Sequence, residues 1–291
     1  MIRSNYHSHT NYCDGNSEPE AYVLAAIDLE LDAYGFSSHA PLPFDCKWSM
    51  PESRLGDYCR HIDHLKQKYK NRIQIYKGME VDFIPRIMGP NHPSVKKAGL
   101  DYTIGSIHFI DAFDNGIPWE ADGNHWKFAT GLLEIFDGDI QNAVTRYYEL
   151  TRQMLETDCP DILGHLDKIK IQNHFFKYFS EQETWYRDEV KKTVDVIADS
   201  KVIVEVNTRG LYKQKTSTPY PSPWILKQMK EKNIPVMINS DSHRPQEIVA
   251  AFNEAALCLL EVGYSTVKVL YDGEWQDQSL EDLRQSLPVA V

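Results

Sequence analysis

The chain has 291 residues, and its 31 Lys and Arg against 42 Asp and Glu give a formal net charge of −11. No basic run or stripe interrupts this acidic pattern, which argues against a nucleic-acid-binding protein. Hydrophobic residues make up 42% of the sequence, which is enough for a core without disulfides, and no apolar run is long enough to cross a membrane.

The five cysteines are odd in number, widely spaced and without a CxxC pair, so we expect reduced thiols in a cytoplasmic protein. No signal peptide is expected, because polar residues follow Ile2 at once. Cys13 stands beside Asp14 and fits either a buried structural thiol or a soft metal ligand, of which the structural thiol is the more common case. The sequence does not indicate the oligomeric state.

Short apolar segments alternate with longer amphipathic segments along the chain. This alternation predicts an α/β fold with a parallel sheet. Seven strands favour a distorted (β/α)7 TIM-like barrel, one unit short of the usual eight, although 266–271 could form one more strand. The seven predicted strands lie at 2–7, 33–38, 73–81, 101–109, 161–165, 202–207 and 235–240.

The first predicted helix has a clear start signal. Ser17 is the expected N-cap, Pro19 falls in the first turn, and Glu20 stands three residues after Ser17 as in a capping box. A run of apolar residues follows and continues the helix. Further helices are predicted near 52–70, 139–157, 181–199, 222–232 and 245–262.

Every predicted strand has, at its C-terminal end, residues that are charged or could bind a metal. In a parallel barrel the carboxyl ends of the strands share one rim, where the active sites of such enzymes lie. Residues far apart in the sequence are therefore expected to meet there. In chain order the strand-end residues are His7 and His9; His39; Glu80; His108; His165; Glu205, Asn207 and Arg209; and Asp241 and His243.

Two of these strand ends carry paired groups. In an extended strand residues i and i+2 point the same way, so His7 and His9 face one point, as do Asp241 and His243. Each group taken singly could be an ordinary hydrogen-bonded residue, but their common position favours a metal site at the rim. The predicted ligands are His7, His9, Asp14, His39, Glu80, His108, His165, Asp241 and His243.

Imidazole and carboxylate suit zinc, manganese or iron, and nine ligands exceed the need of one metal. We therefore expect two or three divalent transition metals, with Glu80 bridging. Three carboxylates contribute −3 and three divalent ions +6, so the metals would let this acidic protein bind phosphate.

The motifs that carry these residues resemble those of the polymerase-and-histidinol-phosphatase (PHP) superfamily, from residue 2 to residue 244. They read HSHTNYCDG, GFSSHAP, GMEVDF, GSIHF, GHLDKIK, EVNTRG and NSDSH, and GSIHF and GHLDKIK are most similar to the histidinol-phosphate phosphatase branch. The resemblance implies a single PHP-type barrel domain over 1–291 with a trinuclear centre. The resemblance also implies which residues hold each metal. The first metal is held by His7, His9, Glu80 and Asp241, the second is held by Glu80, His108 and His165, and the third is held by Asp14, His39 and His243.

The implied reaction is the hydrolysis of L-histidinol phosphate to L-histidinol and phosphate in histidine biosynthesis, by attack of a metal-bridging hydroxide. Arg209 is the candidate phosphate clamp, and Lys168 is a second substrate-binding candidate; a surface salt bridge is the alternative for each. Asp241, His243 and Arg209 are the expected catalytic residues. Either Asp241 or a metal-bound water could protonate the leaving group.

The substrate's amine and imidazole call for an acidic or aromatic pocket. The segment 111–137, rich in acids and aromatics, and the region around Trp48 could form its walls, although such segments more often only pack. Three other functions fit the same motifs: a PHP-type phosphoesterase for another small phosphomonoester or nucleotide, a metal-binding domain without catalysis, and an amidohydrolase-type C–N hydrolase.

Overall fold

The computed structural model describes residues 2–174 and 177–286. The first residue and the last five residues of the predicted domain, 1–291, lie outside this range. Within it the chain forms strands β1 (Ser4–Asn5), β2 (Ala33–Phe36), β3 (Gln74–Asp82), β4 (Tyr102–Ser106), β5 (Phe109–Ala112), β6 (Pro118–Glu120), β7 (Ile162–Leu163), β8 (Ile203–Asn207), β9 (Val236–Asn239), β10 (Thr266–Tyr271) and β11 (Glu274–Ser279).

Seven strands form one parallel sheet in the order β1-β2-β3-β4-β7-β8-β9. The two outer strands meet just beyond their ends, where Ser8 and Ser242 form a parallel bridge. Backbone hydrogen bonds of 2.8 Å from His9 to Ser242 and of 3.1 Å from Ser242 to His7 close the ring there. The predicted distorted (β/α)7 barrel is therefore confirmed.

Strand β1 is shorter than the predicted 2–7, because side chains take the backbone bonds that a neighbouring strand would take. The amide of Tyr6 donates to Asn239 Oδ1 at 2.8 Å, and the amide of Ser8 donates to Ser37 Oγ at 2.9 Å. The predicted strand 101–109 is also divided. It ends at Ser106, and β5 leaves the barrel to pair with β6 in an antiparallel hairpin.

The additional strand predicted at 266–271 exists but does not join the barrel. It is β10, which pairs antiparallel with β11 in a separate two-stranded sheet. This C-terminal hairpin covers the amino end of the barrel, where the hydroxyl of Tyr6 donates to the carbonyl of Leu270 at 2.7 Å. The barrel thus has seven strands, and its amino end is closed by another part of the chain.

Ten α-helices lie within the described residues, and two predicted helix starts are wrong. The first helix begins at Pro19 with Glu18 as N-cap and no side-chain cap bond, and Glu20 bonds the hydroxyl of Tyr69 instead of completing a capping box. The helix predicted from 245 begins at Phe252, because Ala251 has a left-handed φ of 57°. The helices are α1 (Pro19–Asp28), α2 (Leu55–Tyr69), α3 (Pro93–Lys97), α4 (His125–Phe136), α5 (Ile140–Thr157), α6 (Thr184–Ser200), α7 (Arg209–Tyr212), α8 (Pro223–Glu231), α9 (Phe252–Val262) and α10 (Leu280–Ser286).

Apolar side chains fill the interior of the barrel at its amino end. A cluster of buried apolar side chains lies there, and because it fills that half with large rings and aliphatic groups, the polar strand ends are left at the opposite rim. The cluster includes Tyr6, Tyr76, Tyr102, Ile104, Ile162, Ile203, Met237 and Leu270.

None of the helices in the described parts of the chain has the length and apolar character that crossing a membrane needs.

Candidate metal centre

Glu80 is the centre of a group of side chains at the carboxyl rim of the barrel. It lies in β3, is 1% exposed, and its two carboxylate oxygens face different imidazoles. Oε2 lies 3.1 Å from His7 Nε2, 3.1 Å from His39 Nδ1 and 3.4 Å from His9 Nε2. Three imidazoles from two neighbouring strand ends thus converge on one oxygen.

The other oxygen of Glu80 faces the neighbouring strands. Oε1 lies 2.8 Å from His165 Nε2 and 3.6 Å from His108 Nε2, and it accepts a hydrogen bond of 2.7 Å from Ser106 Oγ. The carboxylate therefore stands between two sets of histidines, which is the position that a bridging ligand needs.

Asp241 joins the first set from the end of β9. Its Oδ1 lies 3.2 Å from His9 Nε2 and 3.8 Å from His7 Nε2. Asp241 is 2% exposed and has a left-handed φ of 51°, a backbone conformation that is costly for a residue with a side chain. A buried carboxylate held in this conformation indicates a functional constraint rather than packing alone.

A third set lies nearer to solvent. His243 Nε2 is 3.1 Å from Asp14 Oδ2, while His39 Nε2 and His9 Nδ1 are 3.9 Å and 3.8 Å from Asp14 Oδ1. The Cys13 thiol is 3.6 Å from His9 Nδ1, and burial raises the pKa of that thiol to about 12. In the absence of a metal the thiol is therefore neutral.

These side chains fit divalent metals by an independent criterion. The Nε2 atoms of His7 and His9 and Nδ1 of His39 are buried, and although Glu80 Oε2 lies 3.1–3.4 Å from them, none of the three makes a hydrogen bond. Buried polar atoms without partners are rare in folded proteins unless a ligand satisfies them. Among the residues that the structure describes, three groups have ligand atoms within 4.8 Å of one another, namely His9, Asp14, His39 and His243; His7, His9 and Asp241; and His39, Glu80 and His108.

The charge states of the centre also suit a metal. Burial alone would raise the pKa of Glu80, but the imidazoles of His7 and His39 outweigh it and hold that pKa well below its usual range. Burial together with His243 keeps the pKa of His9 well below the usual value. Glu80 is thus ionised and His9 neutral, which are the forms that bind metals. Burial opposes it, but Glu205 raises the pKa of His7 well above its usual value, so a metal would replace the proton of this imidazole.

Two carboxylates without a predicted role contact the ring nitrogens of His7 and His108 that face away from Glu80. Glu205 Oε1 lies 2.6 Å from His7 Nδ1, and Asp82 Oδ1 lies 2.9 Å from His108 Nδ1. Burial opposes it, but Asp82 raises the pKa of His108 to about 9. Such carboxylate–histidine pairs fix the ring so that its other nitrogen faces a metal. The available signals were the strand-end position of Glu205 and the spacing of Asp82 two residues after Glu80.

A cavity of about 420 Å³ opens above these residues. Lys168 lines it, with Nζ 3.0 Å from Asp122 Oδ2 and 3.3 Å and 3.5 Å from the Nε2 atoms of His108 and His165. Lys168 thus lies inside the cavity, in an ion pair with Asp122 and next to His108 and His165.

Arg209 also lines the cavity. Its Nη1 donates to the carbonyl oxygen of Asp241 at 2.7 Å and lies 3.2 Å from the hydroxyl of Tyr212. Burial would raise the pKa of the Asp241 carboxyl, but His7 and Arg209 hold it well below its usual range. Arg209 is therefore anchored beside Asp241, with its cationic group at the cavity.

Both predicted pocket walls reach this cavity. Within 111–137 the structure has the end of the β5–β6 hairpin and helix α4, and Glu120, Asp122 and Gly123 line the cavity. Trp48 lines it from the other side, with its ring centroid 4.5 Å from that of His39. The walls are thus acidic and aromatic.

Comparison with known proteins places this geometry in a family. Residues 5–209 match the PHP domain model. A protein of Deinococcus radiodurans named "Probable histidinol-phosphatase" is 28% identical over 90% of this chain and 94% of its own length, and the "Histidinol-phosphatase" of Bacillus subtilis is 24% identical over 87% and 97%.

Two solved structures have the same fold. The crystal structure of hisK from Listeria monocytogenes superposes with a TM-score of 0.74 at 25% identity, covering 87% of this chain and 99% of that one. Histidinol phosphate phosphatase from Lactococcus lactis, complexed with zinc, L-histidinol and phosphate, superposes with a TM-score of 0.72 at 19% identity, covering 94% and 98%. Since the family model matches most of the sequence, the chain belongs to the PHP domain family.

Proposed function

We propose that this protein is a histidinol-phosphatase, a metal-dependent phosphomonoesterase that hydrolyses L-histidinol phosphate to L-histidinol and phosphate. The observation that carries the proposal is the set of buried imidazole nitrogens without hydrogen-bond partners around Glu80, beneath a cavity lined by Lys168 and Arg209. Curated relatives that align with most of the chain carry the same activity in their names. This agreement supports histidine biosynthesis as the setting.

The ligand assignment is part of the proposal. Two or three divalent metals, manganese, zinc or iron, would be held by the nine predicted ligands, with Glu80 between the sets. When bound, they supply positive charge for the phosphate oxygens and lower the pKa of water to the neutral range. The ligands are His7, His9, Asp14, His39, Glu80, His108, His165, Asp241 and His243.

The protein's own cations would bind and orient the ester. Lys168 and Arg209 stand at the cavity with their charged groups directed at the ligand set, where they can hold phosphate oxygens in line for attack. The low pKa of Asp241 supports a role for this residue as an ionised group that orients water, rather than as the acid that protonates the leaving alcohol. We therefore assign that proton to water.

A substrate panel tests the proposed activity. Purified protein supplied with manganese or zinc should release phosphate from L-histidinol phosphate with a kcat/KM at least about 100-fold above that for nucleoside monophosphates and sugar phosphates. A higher value for one of those esters would assign the site to another phosphomonoester. Release of ammonia without phosphate would indicate the C–N hydrolase, and bound metal without turnover would indicate a non-catalytic domain.

The phosphate clamp has its own test. Replacement of Arg209 by Ala should raise KM about tenfold, because a charge-assisted contact to phosphate is lost. The exposed Arg60, which pairs with Asp57 on the surface of α2, is the matched control, and Arg60→Ala should leave KM unchanged. An unchanged KM in Arg209→Ala would rule out the clamp.

We also propose that residues 1–291 form one PHP-type barrel domain in a cytoplasmic protein. The contact of Tyr6 in the barrel with Leu270 in the C-terminal hairpin supports the single domain. The free thiols of all five cysteines are consistent with a reducing compartment.

A further inference from the structure

Helix α4 carries the two most exposed of the large apolar side chains that the structure describes. Trp126 is 74% exposed and Leu133 is 65% exposed, and their spacing of seven residues, two helical turns, places both on one line of the helix. Ile117, in the turn of the β5–β6 hairpin, is also exposed and lines the same groove of about 690 Å³ as Trp126. Neighbouring exposed apolar residues of this kind mark an interaction surface, whereas single ones are normal.

Helix α4 cannot turn this face inward, because its opposite face is fixed on the hairpin. Phe128 and Leu132 are buried, and the ring centroid of Phe128 is 5.1 Å from that of Trp119 in β6. Gly131 lies so close to the same indole that a Cβ there would be 2.2 Å from it. The side chains of the outer face therefore stay on the surface of the folded chain.

Two charged residues lie beside the apolar line and are also seven residues apart. Lys127 and Glu134 are exposed, and neither forms an ion pair with any residue in 2–174 or 177–286. Thr130 lies between the two ends of the face, and its hydroxyl donates to the carbonyl of Trp126 at 2.9 Å, so it needs no outside partner. Each end of the face thus has one apolar and one charged residue, and the two charges are of opposite sign.

The order of these charges does not stabilise α4 itself. Lys127 lies in the first turn and Glu134 in the last turn. The helix dipole favours the reverse order, with acids near the amino end and bases near the carboxyl end. An antiparallel partner helix with the same sequence would compensate both, because its Glu134 would lie beside Lys127. The charge order therefore suits a contact between two copies better than an isolated helix.

We propose that this face of α4 pairs with the same face of a second copy of the chain, with the two helices antiparallel about a two-fold axis near Thr130. Such a contact must be self-complementary, because the axis repeats every interaction in reverse order. Antiparallel pairing sets Trp126 against Leu133 of the second copy and Lys127 against Glu134 of the second copy. The axis then generates each of these contacts twice. The pairing does not depend on the proposed enzymatic function.

Charge and size define the kind of association. The face has one positive and one negative side chain, and the chain has a net charge of −11, whereas helices that lie on lipid surfaces are rich in Lys and Arg. A helix of 12 residues is about 18 Å long, which makes the contact small for a permanent dimer. We therefore expect a reversible dimer with a Kd on the order of 10 µM.

Sedimentation velocity over a range from about 1 to about 200 µM tests the pairing. The wild type should change from monomer to dimer over this range. Leu133→Asp should raise the Kd at least about 50-fold, because it places a charge in the apolar part of the contact. The matched control is Leu257→Asp on α9, at a side chain that is 42% exposed, and it should leave the Kd unchanged.

Three results would overturn the pairing. They are a wild type that stays monomeric throughout the range, a dimer that Leu133→Asp leaves intact, and an equal loss of association in Leu257→Asp. A monomeric wild type that binds phosphatidylcholine vesicles would assign the face to lipid instead.

The charged residues test the antiparallel arrangement. Lys127→Glu and Glu134→Lys should each weaken self-association about 5- to 30-fold, since two attractive pairs per dimer become repulsive. Each change suits the helix dipole, so neither should lower Tm. An equimolar mixture of the two variants should recover wild-type association, because every pair between unlike copies again joins opposite charges. Failure of the mixture to recover, or no effect of either single change, would contradict this arrangement.

Discussion

The two ends of the barrel satisfy their buried polar groups in opposite ways. At the amino end the hydroxyl of Tyr6 donates to the carbonyl of Leu270 at 2.7 Å and accepts from its amide at 2.9 Å. At the carboxyl rim, buried nitrogens of His7, His9 and His39 have no hydrogen-bond partner. The tyrosine in the core of the amino end is thus hydrogen-bonded by the chain itself, whereas these imidazole nitrogens at the rim are not.

This difference indicates what each end is for. A buried polar atom without a partner costs about 1–3 kcal/mol, and such a cost persists where a ligand or function requires it. The C-terminal hairpin satisfies the amino end and stabilises the fold, whereas the rim requires something from outside the chain. If the rim is a metal centre, its residues should affect catalysis and metal content, and residues of the amino end should affect stability alone.

The largest expected effect comes from removing a ligand. Asp241→Ala and His108→Ala should each lower kcat/KM by at least about 1000-fold, because catalysis by a metal centre depends on its complete ligand set. Circular dichroism should stay near that of the wild type, since the apolar cluster and the hairpin at the other end are unchanged. Near-normal turnover in either variant would contradict the metal centre.

Removal of the metals should have the next largest effect. Dialysis against a chelator should abolish phosphate release and lower Tm by about 5 °C, because a ligand that binds only the folded state stabilises it. Manganese or zinc should restore both properties, and elemental analysis should find two or three ions per chain. A Tm that is the same with and without metal would mean that the rim needs no ligand.

A smaller effect is expected from the carboxylate behind His7. Glu205 Oε1 contacts His7 Nδ1 at 2.6 Å, and Oε2 accepts from the amide of His165 at 3.0 Å. Glu205→Gln keeps the shape but removes the charge, and should weaken metal binding about 10- to 100-fold. Saturating metal should recover most of the activity, which distinguishes a positioning residue from a ligand. An unchanged metal Kd would show that Glu205 is only structural.

The sequence predicted those features of the fold and the site that depend on the residue pattern of one strand. The paired groups at His7 and His9, and at Asp241 and His243, follow from the two-residue period of a strand, and the structure brings them together as expected; their role as ligands stays a prediction. The seven barrel strands could be predicted because parallel strands alternate with helices. These features depend on local pattern and on one rule about barrels.

Features that depend on contacts between strands could not be predicted. The pairing of Glu205 with His7 depends on how β8 and β1 lie relative to each other in the closed barrel, which the pattern within either strand does not specify. Strand β1 ends early because Asn239 and Ser37, distant in sequence, take its backbone bonds. The capping box at Ser17 failed because Glu20 finds a better partner in Tyr69 of another helix. In each case a tertiary contact decided between local alternatives.

The smallest effect on catalysis is expected at the amino end, and it tests the comparison most directly. Tyr6→Phe removes both hydrogen bonds to Leu270 and should lower the free energy of unfolding by about 1–3 kcal/mol in urea denaturation. Because Tyr6 is adjacent to His7 in sequence but directs its side chain to the opposite end, kcat/KM and metal content per folded molecule should equal those of the wild type. A loss of metal in this variant would show that the two ends are coupled through β1, and the division between a stabilising end and a functional end would then be wrong.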